Sequence, residues 1–251
     1  DPDGLKLTTT YTYDAQGRSL TTTDPAGRTT TMRYDREGNV LATVADAGGL
    51  NLTTSFTYDA SGHVLRKTEG DGSTAPRITQ YTYDAAGRLV STVVDPDGLK
   101  LATRYTYDGN GNVVTVTDAA GSVSRSTYDG NNRVVYTVDP LGAVTLMSYD
   151  AVGNVIQRTA YATAIDPAAT DIAAAVKASA NDRVTRYAYD TDDRLRFVQQ
   201  PNGAVTEQVY DKSGQVVSSG TFAQAKPVAG DFTVASVTPA YAGVPQRSTR
   251  P

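Results

Sequence analysis

The chain has 251 residues with 23 basic and 27 acidic side chains, and its isoelectric point is near 5.0. This balance argues against a nucleic-acid-binding face, which needs clustered positive charge. Cysteine is absent, which excludes disulfides, thiol nucleophiles and cysteine-ligated zinc. With one histidine, His63, and no tryptophan, little remains for histidine-based catalysis.

The sequence shows neither an apolar run of transmembrane length nor an N-terminal targeting signal. It begins on a turn-like segment and ends on a polar Thr-Arg-Pro. We therefore expect a fragment of a longer protein, so the lack of a targeting signal in this sequence says little about the parent.

The predicted elements are set by a repeat whose marker is the dipeptide Tyr-Asp. Consecutive copies lie 21 to 25 residues apart, apart from one gap of 40. The nine copies are Tyr13-Asp14, Tyr34-Asp35, Tyr58-Asp59, Tyr83-Asp84, Tyr107-Asp108, Tyr128-Asp129, Tyr149-Asp150, Tyr189-Asp190 and Tyr210-Asp211. Side chains alternate before each tyrosine, as in Tyr81-Thr82-Tyr83, which is typical of a strand.

Each Tyr-Asp pair is followed by a predicted tight turn. Three residues after the aspartate lies a glycine in seven copies: Gly17, Gly38, Gly62, Gly87, Gly111, Gly153 and Gly214. Asn132 and Asp193 fill this position in the other two, and both residue types tolerate left-handed backbone. An Asp-x-x-Gly segment predicts a type I turn whose carboxylate accepts backbone N–H groups.

A second turn follows half a period later, most clearly at Asp24–Gly27, Asp95–Gly98, Asp118–Gly121 and Asp139–Gly142. Each period is therefore strand, turn, strand, turn, and nine periods predict about 18 antiparallel strands. A hairpin cannot bury a face by itself, so neighbouring hairpins must pack side by side. So many strands are expected to form a curved sheet with open edges.

The gap of 40 residues contains an alanine-rich segment. Asp166 is a candidate helix N-cap and Pro167 a candidate first helical residue, which predicts a short helix at 167–179. The predicted organisation is a repeat array at 1–160, an insertion at 161–181, two further repeats at 182–220 and an irregular or partly paired segment at 221–251.

The repeat resembles a known family. Segments such as Tyr81–Val90 and Tyr107–Val114 are similar to the RHS (rearrangement hotspot) or YD repeat, and the resemblance covers about residues 1–220. This repeat is found in bacterial polymorphic toxins, toxin-complex C components and animal teneurins. The resemblance implies an all-β fold of tandem hairpins that spirals into a shell. In toxins the shell holds a C-terminal toxin, and in teneurins it belongs to an extracellular adhesion protein.

Several features have a possible chemical role beside a structural one. The aspartate column could bind calcium, but its spacing lacks the known calcium-binding motifs and favours turn formation. Asp1–Leu5 and Asp95–Leu99 resemble an Asp-Pro-x-Gly-Leu segment at which some RHS proteins cleave themselves, yet their position among the repeats favours turns. His63 occupies a position that holds arginine, asparagine or glutamine in other repeats, which favours a structural role.

We interpret the chain as a non-catalytic segment of an RHS/YD shell that encloses or scaffolds a toxin or effector domain. The parent would be a large bacterial protein, secreted or at the cell surface. The expected partners are the rest of the shell and its enclosed C-terminal domain, with no cofactor, metal, nucleic acid or membrane span. The alternative is an adhesion module that binds glycans on exposed tyrosines, and the weakest hypothesis is a self-cleaving protease.

Overall fold

Short strands and tight turns alternate along most of the chain. The computed structural model describes residues 4, 7–222, 226 and 231–249. Two compact units are distinguished by their internal contacts: one comprises residues 1–107 and 115–122, and the other comprises residues 108–114 and 123–251. No helix among the described residues has the length and apolar character needed to cross a membrane.

The first unit is an antiparallel meander in which each strand pairs with the next along the chain. Its strands are β1 (Thr10–Tyr13), β2 (Ser19–Thr23), β3 (Thr29–Tyr34), β4 (Val40–Ala45), β5 (Leu52–Tyr58), β6 (Val64–Glu69), β7 (Arg77–Tyr83), β8 (Leu89–Val94) and β9 (Leu101–Tyr107). Strand β10 (Val113–Thr117) has residues in both units.

The second unit repeats the meander and adds two short helices. Its elements are β11 (Val123–Tyr128), β12 (Val134–Val138), β13 (Val144–Tyr149), β14 (Val155–Ala160), α1 (Ile172–Ala175), β15 (Arg183–Tyr189), β16 (Leu195–Gln199), β17 (Val205–Tyr210), β18 (Val216–Phe222), α2 (Val234–Ala240) and β19 (Gln246–Thr249). The predicted all-β architecture of tandem antiparallel hairpins is confirmed.

A β-bulge lies opposite the repeat tyrosine, on the strand that follows the Tyr-Asp turn. In the β3–β4 hairpin, Arg33 pairs with Ala42 and Tyr34 pairs with Val40, so that Leu41 is the extra residue. The same register shift occurs at the corresponding position of the β5–β6, β7–β8 and β13–β14 hairpins. A bulge bends its strand and re-aims the neighbouring side chains, and here it does so in the same way in each repeat.

The insertion between β14 and β15 packs on the strands that precede it. Ile172 is buried with Val138 of β12 and Val144 of β13, and Ile165 packs against this cluster. The backbone of the insertion also bonds to the turn at Asp139–Gly142, since the N–H of Ile165 donates to the carbonyl of Gly142 at 2.9 Å.

A short helix lies within the predicted 167–179 segment, but it is much shorter than predicted. It spans only Ile172–Ala175, and its N-cap is Asp171, whose carboxylate accepts the N–H of Ala174. Asp166 forms a turn instead, accepting the N–H groups of Ala168 and Ala169. Val176 is extended and ends the helix.

The described residues after β18 contain helix α2 and strand β19, which pairs with β18. Helix α2 begins at a capping box made by Thr233 and Ser236. Val237 and Tyr241 pack with Phe197, Val205 and other residues into the larger buried cluster of the second unit. Residues 223–225, 227–230 and 250–251 lie outside the described part of the chain, and the predicted boundaries at 160/161, 181/182 and 220/221 stay predictions.

Gly142 provides a test of how the insertion docks. Its φ is +85°, and an added Cβ would collide with the backbone carbonyl of Ile165. Gly142→Ala is expected to lower the free energy of unfolding by about 1–3 kcal/mol more than Gly214→Ala, which adds the same left-handed strain. Gly214 is the matched control because its φ is +80° and no atom lies within 4 Å of the added Cβ. Urea unfolding monitored by circular dichroism measures both, and equal losses would show that the contact with Ile165 contributes nothing.

Candidate functional site: the Tyr-Asp turns

Each aspartate of the Tyr-Asp pair holds its own turn. In one repeat Asp84 Oδ1 accepts the N–H groups of Ala86 and Arg88 at 2.9 Å, while Gly87 N–H donates to the Asp84 carbonyl. All nine carboxylates accept at least two backbone N–H groups in this way: Asp14, Asp35, Asp59, Asp84, Asp108, Asp129, Asp150, Asp190 and Asp211. The predicted role of the carboxylate in the turn is confirmed.

The turn closes through one residue in left-handed backbone. The seven glycines three positions after the aspartate all have φ between +78° and +108°. They are Gly17, Gly38, Gly62, Gly87, Gly111, Gly153 and Gly214. Asn132 and Asp193 adopt φ of +61° and +58° at the same position, which confirms that these residues substitute for glycine.

The strands of neighbouring hairpins diverge before they reach the Tyr-Asp turns. Strands β4 and β5 pair from Ala45–Leu52 to Ala42–Ser55 and no further. Strands β14 and β15 likewise stop pairing at Gln157 and Arg186. Backbone groups near the turns therefore lack the ladder partners that an antiparallel sheet normally supplies.

The repeat tyrosine bridges this gap. Tyr58 Oη donates to the carbonyl of Val40 at 2.7 Å, and Val40 is the residue that pairs with the preceding repeat tyrosine, Tyr34. Eight hydroxyls make this bond, each to the residue six positions after the previous repeat tyrosine, at 2.6 to 3.1 Å: Tyr34, Tyr58, Tyr83, Tyr107, Tyr128, Tyr149, Tyr189 and Tyr210. We call this set of bonds the tyrosine seam.

Tyr13, the first repeat tyrosine, differs from the other eight. Its side chain is 58% exposed, and its hydroxyl has no acceptor among the described residues. Its ring stacks on Tyr11, which is 53% exposed, with centroids 6.4 Å apart. These two rings form an open aromatic surface on strand β1.

A second contact across the seam comes from the residue that follows the turn glycine, five positions after the repeat tyrosine. We call this position the slot. When the slot holds arginine, the guanidinium lies over the tyrosine of the next repeat at 4.5 to 5.2 Å from the ring centroid. The pairs are Arg18 with Tyr34, Arg88 with Tyr107, Arg133 with Tyr149 and Arg194 with Tyr210.

The slot arginine is also anchored to its own turn, because Arg133 Nε donates to Asp129 Oδ2 at 2.7 Å. Sequence reasoning treated the slot as a generic polar position and missed its contact with the next repeat. The available signal was the recurrence of arginine at this one position in four of nine copies.

The remaining candidate groups also lie in turns. His63 occupies a slot, where Nδ1 lies 2.9 Å from Asp59 Oδ2 and the ring stacks on Tyr83 at 4.8 Å. Asp95 accepts the N–H of Leu99 at 2.7 Å within a second turn, while the copy at Asp1–Leu5 lies largely outside the described residues. Within the described chain, no group of three or more His, Cys, Asp or Glu side chains is placed to hold a metal ion.

Comparison with known protein families agrees with this geometry. The model of the teneurin YD-shell matches residues 47–215, more than half of the chain, and the model of the RHS repeat matches residues 1–29 and 19–50. The chain belongs to the teneurin YD-shell family. Among curated proteins, none matches this YD-shell chain in sequence.

Several solved toxin structures are similar to this YD-shell chain. A crystal structure of TcdB2-TccC3-Cdc42 is 14% identical over 88% of the chain with a TM-score of 0.48. A TcdB2-TccC3 structure without its hypervariable C-terminal region is 13% identical over 97% of the chain, with a TM-score of 0.46. A Photorhabdus luminescens Tc holotoxin pore is 14% identical over 86% of the chain, with a TM-score of 0.48. The chain spans only 14–15% of the length of these proteins.

Removing one seam hydroxyl tests the bridging bond. Tyr83→Phe leaves the ring in place but removes the hydroxyl that donates to the Val64 carbonyl at 3.0 Å. We expect it to lower the free energy of unfolding by about 1 kcal/mol, measured by urea denaturation. Tyr11→Phe in the same unit is the control, and comparable effects of the two substitutions would contradict the seam.

Acid should destabilise the YD-shell turns. The hydrogen bond from the backbone N–H of Arg88 lowers the pKa of Asp84 below its ordinary value of 3.8, and the Arg88 side chain adds to this effect. Desolvation of the carboxylate acts in the opposite direction but is outweighed. The folded state therefore binds fewer protons, so the stabilisation is complete above pH 3.8 and is lost as the pH falls through the lowered pKa. Denaturation midpoints between pH 6 and pH 3 should fall less steeply for Asp84→Asn than for the unmodified chain. Asp97→Asn is the matched control for the loss of one negative charge, because the Asp97 side chain is 74% exposed and lies 3.4 Å from Arg66.

Proposed function

We propose that this chain is a structural, non-catalytic segment of a YD shell that encloses or scaffolds a toxin or effector domain. The parent would be a large bacterial protein that is secreted or displayed on the cell surface. The proposal rests on membership of a shell-repeat family and on where the recurring side chains are used.

The observation that carries the proposal is the use of the repeated tyrosines and aspartates in internal bonds. Eight tyrosine hydroxyls join neighbouring hairpins and nine carboxylates hold turns, so the most repeated polar groups build the sheet. Such a sheet can act as a steric barrier that separates an attached polypeptide from proteases in the surrounding solution. The expected partners are the rest of the shell and its enclosed C-terminal domain.

Protection of the C-terminal domain in the full-length parent tests the proposal. We expect a protease added under native conditions to cleave the C-terminal domain at least tenfold more slowly in the parent than when that domain is produced alone. Equal cleavage rates would refute enclosure.

A seam-weakened parent adds a matched comparison. Tyr58→Phe, Tyr83→Phe and Tyr107→Phe, combined in the parent, should accelerate cleavage of the C-terminal domain, whereas Tyr11→Phe should not. An acceleration by Tyr11→Phe alone would mean that the seam is not what limits access.

A further inference from the structure

The four slot arginines show which chemical group the space between neighbouring turns accepts. Each guanidinium lies within 5.2 Å of the centroid of the next tyrosine ring and pairs with the carboxylate of its own turn. Nη1 of a slot arginine also donates to a backbone carbonyl of the next turn, as Arg18 does to Asp35 at 3.0 Å and Arg133 to Asp150 at 3.2 Å. The position therefore combines an aromatic face, negative charge and a carbonyl acceptor.

Three repeats carry asparagine in the slot, and in two of them this space is a cavity. Asn39 is shorter than arginine and bonds to its own turn, with Nδ2 donating to Asp35 Oδ2 at 2.9 Å. A cavity of about 710 Å³ lies beside it, lined by Leu41, Phe56 and Tyr58 among others. We call it the Asn39 cavity.

A second cavity, of about 450 Å³, occupies the equivalent position in the other unit. It is lined by Ile156, Tyr187 and Tyr189, which correspond in the repeat to Leu41, Phe56 and Tyr58. The slot of this repeat is Asn154, whose Nδ2 donates to Asp150 Oδ2 at 3.1 Å. Arg186 and Phe232 also line this second cavity, whereas Asn154 does not, so the two cavities share only part of their lining.

The charge of the Asn39 cavity favours a cation. Asp35, Glu37 and Asp59 line it, and no lysine or arginine is among its described lining residues. Hydrogen bonds from the side chains of Asn39 and His63, followed by backbone N–H groups, lower the pKa of Asp35 and Asp59 respectively, so both stay ionised at neutral pH. Phe56 and Tyr58 supply two aromatic rings with centroids 6.5 Å apart.

We infer that the Asn39 cavity binds the guanidinium group of an arginine side chain supplied by a partner polypeptide. The guanidinium lies over the Tyr58 ring and next to the carboxylates, and its methylene stem packs on Leu41 and Phe56. The inference concerns binding alone and does not depend on enclosure of a toxin.

Nuclear magnetic resonance titration tests this with a matched pair of ligands. N-acetyl-arginine methylamide is added to the full chain and the aromatic signals of Tyr58 and Phe56 are followed. The citrulline analogue is the control, because it has nearly the same shape without the positive charge. We expect saturable shifts at Tyr58 with roughly millimolar affinity for the arginine ligand and binding at least tenfold weaker for citrulline. Equal responses to both ligands, or no saturable shift at Tyr58, would overturn the inference.

Reciprocal slot exchanges test the location. Asn39→Arg should fill the cavity from within and abolish the shifts at Tyr58. Arg18→Asn should open a new site and produce saturable shifts at Tyr34. Retained binding at Tyr58 in the Asn39→Arg variant, with its thermal unfolding midpoint unchanged or raised, would show that the ligand binds elsewhere.

Discussion

The hydrogen bond from a repeat tyrosine to a carbonyl of the preceding hairpin is the interaction on which the rest of the structure depends. Antiparallel ladders hold the middle of each strand pair, but neighbouring hairpins separate before their Tyr-Asp turns. Without a bridge, the carbonyls at this end would have no protein partner. The tyrosine supplies a donor at the required distance and fills the gap with its ring, so one side chain both satisfies the backbone and packs the boundary.

The seam also explains which changes the fold tolerates. Tyr149 and Tyr189 lie 40 residues apart, whereas the other repeat tyrosines lie 21 to 25 apart, yet Tyr189 still donates to Val155, six residues after Tyr149. The insertion joins the end of β14 to the start of β15, and the seam bond lies at the other end of both strands. The insertion therefore lengthens the connection between these two strands without entering the tyrosine seam. Its docking on Val138 and Val144 then covers apolar surface that the strands alone leave exposed.

Much of this could be predicted from the sequence because the information is local. Tyr-Asp followed by glycine, as at Tyr83-Asp84 and Gly87, specifies both the turn and the strand before it. The seam could not be predicted because its acceptor is a backbone carbonyl 15 to 34 residues away, which any side chain can carry. The slot contact was missed for a similar reason, since Arg133 meets its own Asp129 and the distant Tyr149 at once.

The helices show where local signals compete. Asp166-Pro167 looked like the start of a helix, but Asp166 turns the chain and Asp171 caps a helix of one turn. Helix α2 carried a recognisable signal in Thr233 and Ser236, although Ser236 occupies the place where a capping box more often has Glu or Gln. Pro239 inside the helix weakened that pattern.

Removing the hydroxyl at one repeat boundary is the most direct test of the central claim that neighbouring hairpins are joined by the tyrosine. Tyr149→Phe keeps the ring beneath the Arg133 guanidinium, which lies 4.5 Å from the ring centroid, and removes the hydroxyl that donates to the Val134 carbonyl at 2.7 Å. We expect urea denaturation to show a loss of about 1 kcal/mol in the free energy of unfolding. An unchanged free energy of unfolding would contradict the account.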